Sequence, residues 1–379
     1  MGEKRGPSPV IGLGIVGCGS VARAYATSMR RLQIEGKARA VACCDVVPDR
    51  ARDYAAQYGV GRAVADFDVL LAMPEVQAVL IFTPNNHHFR VASAALAAGK
   101  HVLLEKPMAT TMADARALAE QARHSEGYLV CAPFVILSRT FGAMAKRIAR
   151  GDIGSVSAAR ALYGWAGPDW AAWFYQKGGG ALFDLGVYDI TALTGLLGPA
   201  QRVTAMAGIC TPERAVAGER VRVEAPDNIH LILDFGRCVF GSLVTGYTIQ
   251  RQRHAQLEIY GSEGVIQMLG PAWAPAGYEL WRNSAGCWQI FGETDPEYHW
   301  TVGLDHLIEC IGTGTRPLLS PEHALHVTEI MIRALESAES GAALNLETTF
   351  RRAHAGPARR RRRPHRVHDP TRRAEDEVG

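Results

Sequence analysis

The stretch Val10-Ile11-Gly12-Leu13-Gly14-Ile15-Val16-Gly17-Cys18-Gly19-Ser20-Val21-Ala22 carries the first decision about the fold. Residues 10–16 are a short apolar run with β-branched side chains, which suits an extended strand. Residues 21–32 then take up a helical pattern. Between the two, Gly17, Gly19 and Ala22 fit G-x-G-x-x-[G/A]. Gly17 permits a tight turn, Gly19 lets a pyrophosphate approach the backbone, and Ala22 permits close helix–strand packing. Ser20 and Val21 open the helix, whose N-terminus favours phosphate charge. Such a match alone is weak, because glycine-rich turns are common. Its context strengthens it: the apolar run 38–44 is closed by Asp45, 26 residues after Gly19. A carboxylate there accepts hydrogen bonds from an adenosine ribose and repels a 2′-phosphate, which favours NAD. Arg50 lies five residues on and could compensate, so NADP stands as the alternative.

Outward from this start, strands and helices alternate. A helix over 48–58 opens on Pro48, where a missing N–H does no harm. A strand over 78–82 runs into Thr83-Pro84-Asn85, and a helix over 88–98 closes on Gly99. A strand over 101–104 leads to Glu105-Lys106-Pro107, and a helix follows over 112–122. The alternation predicts βαβ units and a doubly wound parallel sheet. After about residue 130 the pattern changes. A helix over 140–150, a glycine-rich stretch and a helix over 184–197 precede apolar runs at 203–209, 228–235, 238–248, 255–260 and 265–269. Short turns between these runs predict an antiparallel sheet. Helices over 300–311 and 321–340 complete an α/β chain of two domains, 8–130 and 131–352, with a disordered arginine-rich tail over 353–379.

The composition excludes several classes. With 379 residues, 47% hydrophobic and 21% charged, the chain can bury a sizeable core and has no run long and apolar enough for a membrane helix. The net charge of +3 misleads. From His354 onward there are eight arginines against four acids, which leaves 33 of the 41 basic and 34 of the 38 acidic residues in the body. A near-neutral body argues against nucleic acid as a partner. The eight cysteines form no CxxC and no metal-ligand spacing, which points to reduced, buried thiols in a cytoplasmic setting and to no metal. Lys4 and Arg5 before the run 10–18 imitate a secretory signal, but Gly12, Gly14 and Gly17 interrupt it, so a short disordered lead of about nine residues is expected.

Two further segments carry a family resemblance. Thr83-Pro84-Asn85-Asn86-His87-His88, followed by Ala98-Gly99-Lys100-His101-Val102-Leu103-Leu104-Glu105-Lys106-Pro107, resembles the signature TPNxxH…AGKHVxxEKP. Gly178-Gly179-Gly180-Ala181-Leu182-Phe183-Asp184-Leu185-Gly186-Val187-Tyr188 resembles GGGxxxDxGx[H/Y]. Both belong to the glucose–fructose oxidoreductase, inositol dehydrogenase and rhizopine-catabolism oxidoreductase (Gfo/Idh/MocA) family. The resemblance implies a Rossmann domain followed by an α/β domain with a large open sheet. It implies NAD(P)-dependent oxidation or reduction of sugars, cyclitols or related diols and ketones, by a homodimer or homotetramer. It places the loop of Thr83, Asn85 and His88 along the cofactor's pyrophosphate and nicotinamide ribose. For His88, a helix cap or a core histidine reads nearly as well. Most members carry His where this chain has Tyr188; those resembling glucose–fructose oxidoreductase and dihydrodiol dehydrogenase carry Tyr.

The residue chemistry agrees. Lys106 falls at the carboxyl end of a parallel strand, where ligands bind in open sheets. Pro107 biases its backbone to an extended form and admits a cis bond. An ammonium there can hydrogen-bond a substrate oxygen and move its proton as hydride is transferred. Glu105 supports Lys106 or the ribose. Asp184 and Tyr188 are four apart on a predicted helix and share a face. Tyr and Lys both titrate near 10 when free, so Lys106 and Tyr188 are expected to form a coupled pair in which the ammonium stabilises tyrosinate. Asp184 then orients the substrate or Lys106. Trp165, Trp170, Trp173 and Tyr175 offer aromatic faces for the C–H faces of a sugar, with Trp173 the substrate-binding candidate. Rival readings are an NADP-dependent ketoreductase of a nucleotide-linked sugar, a dihydrodiol dehydrogenase, and a non-enzymatic cofactor-sensing regulator.

Overall fold

Strand β1 (Ile11–Val16) is buried at every position, so both faces of its sheet must be covered, as parallel sheets require. The computed structural model describes residues 10–292 and 298–354. The lead at 1–9 and the tail from 355 onward lie outside the described residues. Around β1, the strands β2 (Ala38–Cys44), β3 (Arg62–Val64), β4 (Ala78–Ile81), β5 (His101–Leu104) and β6 (Leu129–Cys131) form a six-stranded sheet in the order β3-β2-β1-β4-β5-β6. Every pairing in it is parallel. Helices α1 (Ser20–Ile34), α2 (Pro48–Tyr58), α3 (Phe67–Leu71), α4 (His88–Ala97) and α5 (Met112–His124) connect the strands. The strand order reverses direction between β1 and β4, which is where dinucleotide folds open their crevice. β3, α3 and β6 escape the sequence reading because three to five residues are too few to show a period.

The second sheet has nine strands in the order β16-β15-β14-β13-β7-β12-β11-β8-β17. Its members are β7 (Val156–Gly164), β8 (Arg202–Gly208), β11 (Asn228–Asp234), β12 (Phe240–Gly246), β13 (Leu257–Gly261), β14 (Gly264–Leu269), β15 (Gly277–Arg282), β16 (Cys287–Phe291) and β17 (Leu344–Asn345). Separately, β9 (Glu213–Val216) and β10 (Glu219–Arg222) form a hairpin. All pairings of the nine-stranded sheet are antiparallel except β7 with β12. The sheet is therefore mostly antiparallel, as expected, but its central strand β7 is absent from the sequence reading. Its buried positions include Ala159 and Ala161, whose small side chains give little hydrophobic alternation. The run expected over 238–248 starts later, because Arg237 and Cys238 have φ of 53° and 60° and belong to a turn.

Helices α6 (Arg139–Arg150), α7 (Val187–Leu197) and α9 (Pro321–Ser340) pack on this sheet, and α8 (Gly303–Thr313) packs against α1. Cys18, Cys43, Cys44, Cys131 and Cys310 are buried free thiols; Cys210, Cys238 and Cys287 are exposed, contrary to the expectation that all eight are buried. No helix among the described residues is long and apolar enough to cross a membrane.

Candidate active site

The carboxyl ends of β1, β2, β4 and β5 converge on one cleft of about 480 Å³. Gly17 has φ +91°, and a Cβ on it would come within 2.8 Å of the Phe82 backbone, so the turn after β1 rests against the end of β4. A Cβ on Gly19 would meet nothing within 4 Å. That open space lies on the cleft beside Ser20 and Val21. No side chain caps α1, so the N-terminus of a 15-residue helix is left for an anion to use.

Asp45 closes the other side of this loop. Its Oδ2 accepts the Cys18 N–H at 2.9 Å and its Oδ1 accepts the Val47 N–H at 2.9 Å. The Asp45 side chain is 5% exposed, and Arg50 approaches it at 3.4 Å from a half-exposed position. Both line the cleft. Thr83 stands on the opposite wall, and its Oγ1 is buried without a hydrogen-bond partner. Buried hydroxyls are rarely left so. The orphaned hydroxyl, the space at Gly19, the uncapped helix and the carboxylate at the end of β2 together fit a dinucleotide.

Asn85 lines the same wall and donates to the Gly178 carbonyl at 3.3 Å, tying the loop after β4 to the glycine run. His88 lines the cleft too, with its ring tied to backbone. It is fully buried, with Nδ1 2.7 Å from the Pro107 carbonyl and Nε2 2.9 Å from the Thr83 carbonyl. Both ring nitrogens are thus engaged by backbone, so His88 clasps the loop of Thr83 to that of Lys106. Burial lowers its pKa, against the two carbonyls that favour the proton.

Lys106 lines the cleft. Its Nζ donates to Asp184 Oδ1 at 2.7 Å and to the Asp184 carbonyl at 2.8 Å. Lys106–Pro107 is a cis peptide. Glu105 is buried behind it, where its carboxylate accepts from Tyr25 Oη at 2.7 Å and from the Lys106 N–H at 3.2 Å. Burial raises the Glu105 pKa, and the Tyr25 bond and the nearby ammonium pull it back. Glu105 also lines the cleft, so its contact with the Lys106 backbone leaves a ribose contact open as well.

Asp184 lies in a π-helical turn, Leu182–Gly186, that precedes α7. The continuous α-helix expected from 184 onward is widened there, a feature frequent at functional sites. Tyr188 still meets Lys106, but by its ring: Nζ lies 5.4 Å from the ring centroid. The expected tyrosinate is not supported. Burial, then the Glu105 and Asp184 carboxylates, push the Tyr188 phenol well above its ordinary pKa. The ammonium therefore faces a neutral aromatic ring, a cation–π contact.

The aromatic cluster divides. Trp173 stacks on Phe174 at 3.8 Å, and both line the cleft. Tyr175 turns into the core, donating to the Pro168 carbonyl at 2.6 Å, while Trp170 is 55% exposed. Phe174, Tyr25 and Tyr247 are site residues the sequence reading missed. Phe174 and Tyr25 had a local signal, as neighbours of Trp173 and of the α1 motif; Tyr247 had none. Among the described residues no cluster of three or more His, Cys, Asp or Glu side chains could hold a metal.

Comparison with known proteins gives the family. The model of an oxidoreductase family with an NAD-binding Rossmann fold matches residues 11–131. The model of the GFO/IDH/MocA C-terminal domain matches residues 141–267. The trans-1,2-dihydrobenzene-1,2-diol dehydrogenase of Bos taurus is 26% identical over 85% of this chain and 94% of its own. The 1,5-anhydro-D-fructose reductase of Ensifer adhaerens is 26% identical over 88% of this chain and 98% of its own. The solved structure of a levoglucosan dehydrogenase with NADH and levoglucosan superposes with a TM-score of 0.78 at 22% identity, over 88% of this chain and 99% of that one, which shows the shared fold. With two family models covering both halves of the chain and the site assembled between them, this protein belongs to the GFO/IDH/MocA family of NAD-binding oxidoreductases.

Proposed function

We propose that the protein transfers hydride between NAD(H) and a hydroxyl or keto carbon of a sugar, cyclitol or similar cyclic polyol, with Lys106 as the proton-transfer group. The observation that carries this is that Lys106 lines the cleft with its Nζ held on Asp184. An ammonium has three N–H donors. Asp184 takes two of them, and the third serves a substrate oxygen. When bound, NAD(H) supplies or accepts the hydride. In reduction the Lys106 ammonium gives its proton to the carbonyl oxygen; in oxidation the neutral amine takes the hydroxyl proton. Asp184 keeps Nζ in place, the Tyr188 ring lies beneath it, and Glu105 holds the Lys106 backbone through its N–H. The Trp173–Phe174 stack gives the cleft an apolar wall against which a ring's C–H face packs.

The polyol reading draws on the relatives, whose names cover an anhydro-sugar and a cyclic diol. Levoglucosan and trans-1,2-dihydrobenzene-1,2-diol with NAD⁺, and 1,5-anhydro-D-fructose with NADH, form the first panel, followed by reduced-cofactor absorbance. Turnover of one or more is expected. NADH binding with no turnover across an extended panel of sugars, cyclitols and diols would favour the regulator instead. Association of copies through the outer face of the nine-stranded sheet, where Met206, Ile232 and Ile290 are exposed, belongs to the same proposal; sizing chromatography reports it.

NAD is the proposed cofactor over NADP, because the buried Asp45 carboxylate stands at the end of β2. NADH should bind more tightly than NADPH in a fluorescence titration. Asp45→Ala should narrow the ratio by roughly tenfold, the worth of about 1.4 kcal/mol. NADH affinity should fall in the same variant, since Asp45 also holds the Cys18 and Val47 N–H groups. Tighter binding of NADPH by the unmodified protein would reverse the assignment and give Arg50 the leading role.

A further inference from the structure

Asp184 has a second partner, on the opposite side from Lys106. Tyr247, one residue past β12, donates its hydroxyl to Asp184 Oδ2 at 2.9 Å. Lys106 uses Oδ1. Tyr247 is 1% exposed and packs edge-on against Tyr175, with centroids 5.5 Å apart. Arg214, on the β9–β10 hairpin, reaches in behind it with a side chain only 13% exposed. Its guanidinium lies 6.0 Å from the Tyr247 ring centroid, donates to the Tyr247 carbonyl at 3.0 Å, and pairs with buried Asp227 at 3.1 Å.

We propose that Tyr247 is a positioning residue for proton transfer: its hydroxyl fixes Asp184 Oδ2, so that Oδ1 holds the Lys106 ammonium, and Arg214 fixes Tyr247 in turn. The inference rests on the reading of Lys106 and Asp184 given above. A carboxylate held at one oxygen can rotate about its Cβ–Cγ bond, which has a broad torsional well. Held at both oxygens, it presents one orientation. The hydroxyl itself needs a partner, because a buried tyrosine O–H left unpaired is costly. The bond thus satisfies the tyrosine and orders the acid. Arg214 is suited to its part by a planar fork that stacks on rings while donating in two directions. A hairpin outside both main sheets thereby sets the reach of Lys106.

Tyr247→Phe keeps the ring, its packing on Tyr175 and the carbonyl that Arg214 uses, and removes only the hydroxyl. The first readout needs no substrate. In the NAD-saturated enzyme, acetylation of individual lysines by acetic anhydride is followed by mass spectrometry, with exposed Lys37 as internal reference. Lys106 should react roughly three- to tenfold faster in Tyr247→Phe, because one hydrogen bond ordering its counter-ion is gone. Asp184→Asn should raise the rate further. On the substrate found by the panel, kcat should fall roughly tenfold with KM and NADH affinity nearly unchanged. In an Asp184→Asn background, Tyr247→Phe should cost nothing more, since the path runs through Asp184. Unchanged Lys106 labelling in Tyr247→Phe, with a clear rise in Asp184→Asn, would overturn the proposal and leave Tyr247 as packing. Unchanged labelling in both would remove the Lys106–Asp184 reading beneath it, and the proposal with it.

Discussion

Lys106→Ala should lower turnover by roughly 10²- to 10⁴-fold, the range of a positioned general acid or base. NADH affinity should stay within a few-fold, because the parts of the cleft that fit the dinucleotide are elsewhere: the Gly17–Ala22 turn, Asp45 and the Thr83 wall. The fold should survive, since Lys106 is a half-buried side chain whose removal leaves Asp184 still bonded to Tyr247. Tyr188→Phe should behave differently, with a loss under about tenfold. Burial, then the Glu105 and Asp184 carboxylates, raise the pKa of its phenol. Phenylalanine presents the same ring face to the ammonium, and the cation–π contact is worth about 0.5–2 kcal/mol with either ring. Parallel measurements of kcat and NADH binding decide both. A Tyr188→Phe loss as large as that of Lys106→Ala would return the hydroxyl to the chemistry. Turnover near the unmodified rate in Lys106→Ala would move the proton transfer elsewhere, with Asp184 first in line.

The contrast between these two variants marks where sequence reasoning stops. The βαβ half was legible because each of its longer elements carries its own period, and its strand ends carry residues with few other uses. Asp45, Thr83, Asn85 and Lys106 could therefore be placed around one cleft before any coordinates. The convergence of Lys106 with Asp184 was also legible, through two motifs whose spacing resembles that of a family. The chemistry between groups was not. The tyrosinate expected at Tyr188 depended on which part of the ring faces the ammonium, and Lys106 Nζ lies over the ring, 5.4 Å from its centroid. His88 read as a cofactor contact or as a cap or core histidine, and which carbonyls its two ring nitrogens meet, those of Thr83 and Pro107, had no local signal. Tyr247 left no trace at all. It reaches Asp184 because β12, paired in parallel with β7, packs against the Leu182–Gly186 turn. Contacts made by topology across 63 residues have no local pattern to read.

Gly19→Leu should weaken NADH binding by more than about 100-fold, on the order of 3 kcal/mol, while leaving the melting temperature nearly unchanged. The two glycines of the turn differ in what they make room for. At Gly17 the space is internal: φ is +91° and a Cβ would strike the Phe82 backbone at 2.8 Å. Gly17→Ala should therefore destabilise the protein by about 1–3 kcal/mol through backbone strain alone, and lose cofactor as a consequence. At Gly19 the backbone is extended, with φ −81° and ψ −161°, a region open to any residue. A Cβ there meets no protein atom within 4 Å, so the added side chain occupies only the cleft. Its volume falls before the first turn of α1, where the uncapped helix end would otherwise take phosphate charge. A thermal melt and an NADH fluorescence titration on the same preparation separate the cases. Retained stability with lost binding is the expected outcome for Gly19→Leu. Retained binding would mean that the pyrophosphate lies elsewhere, and that the glycine at 19 serves the turn rather than the ligand.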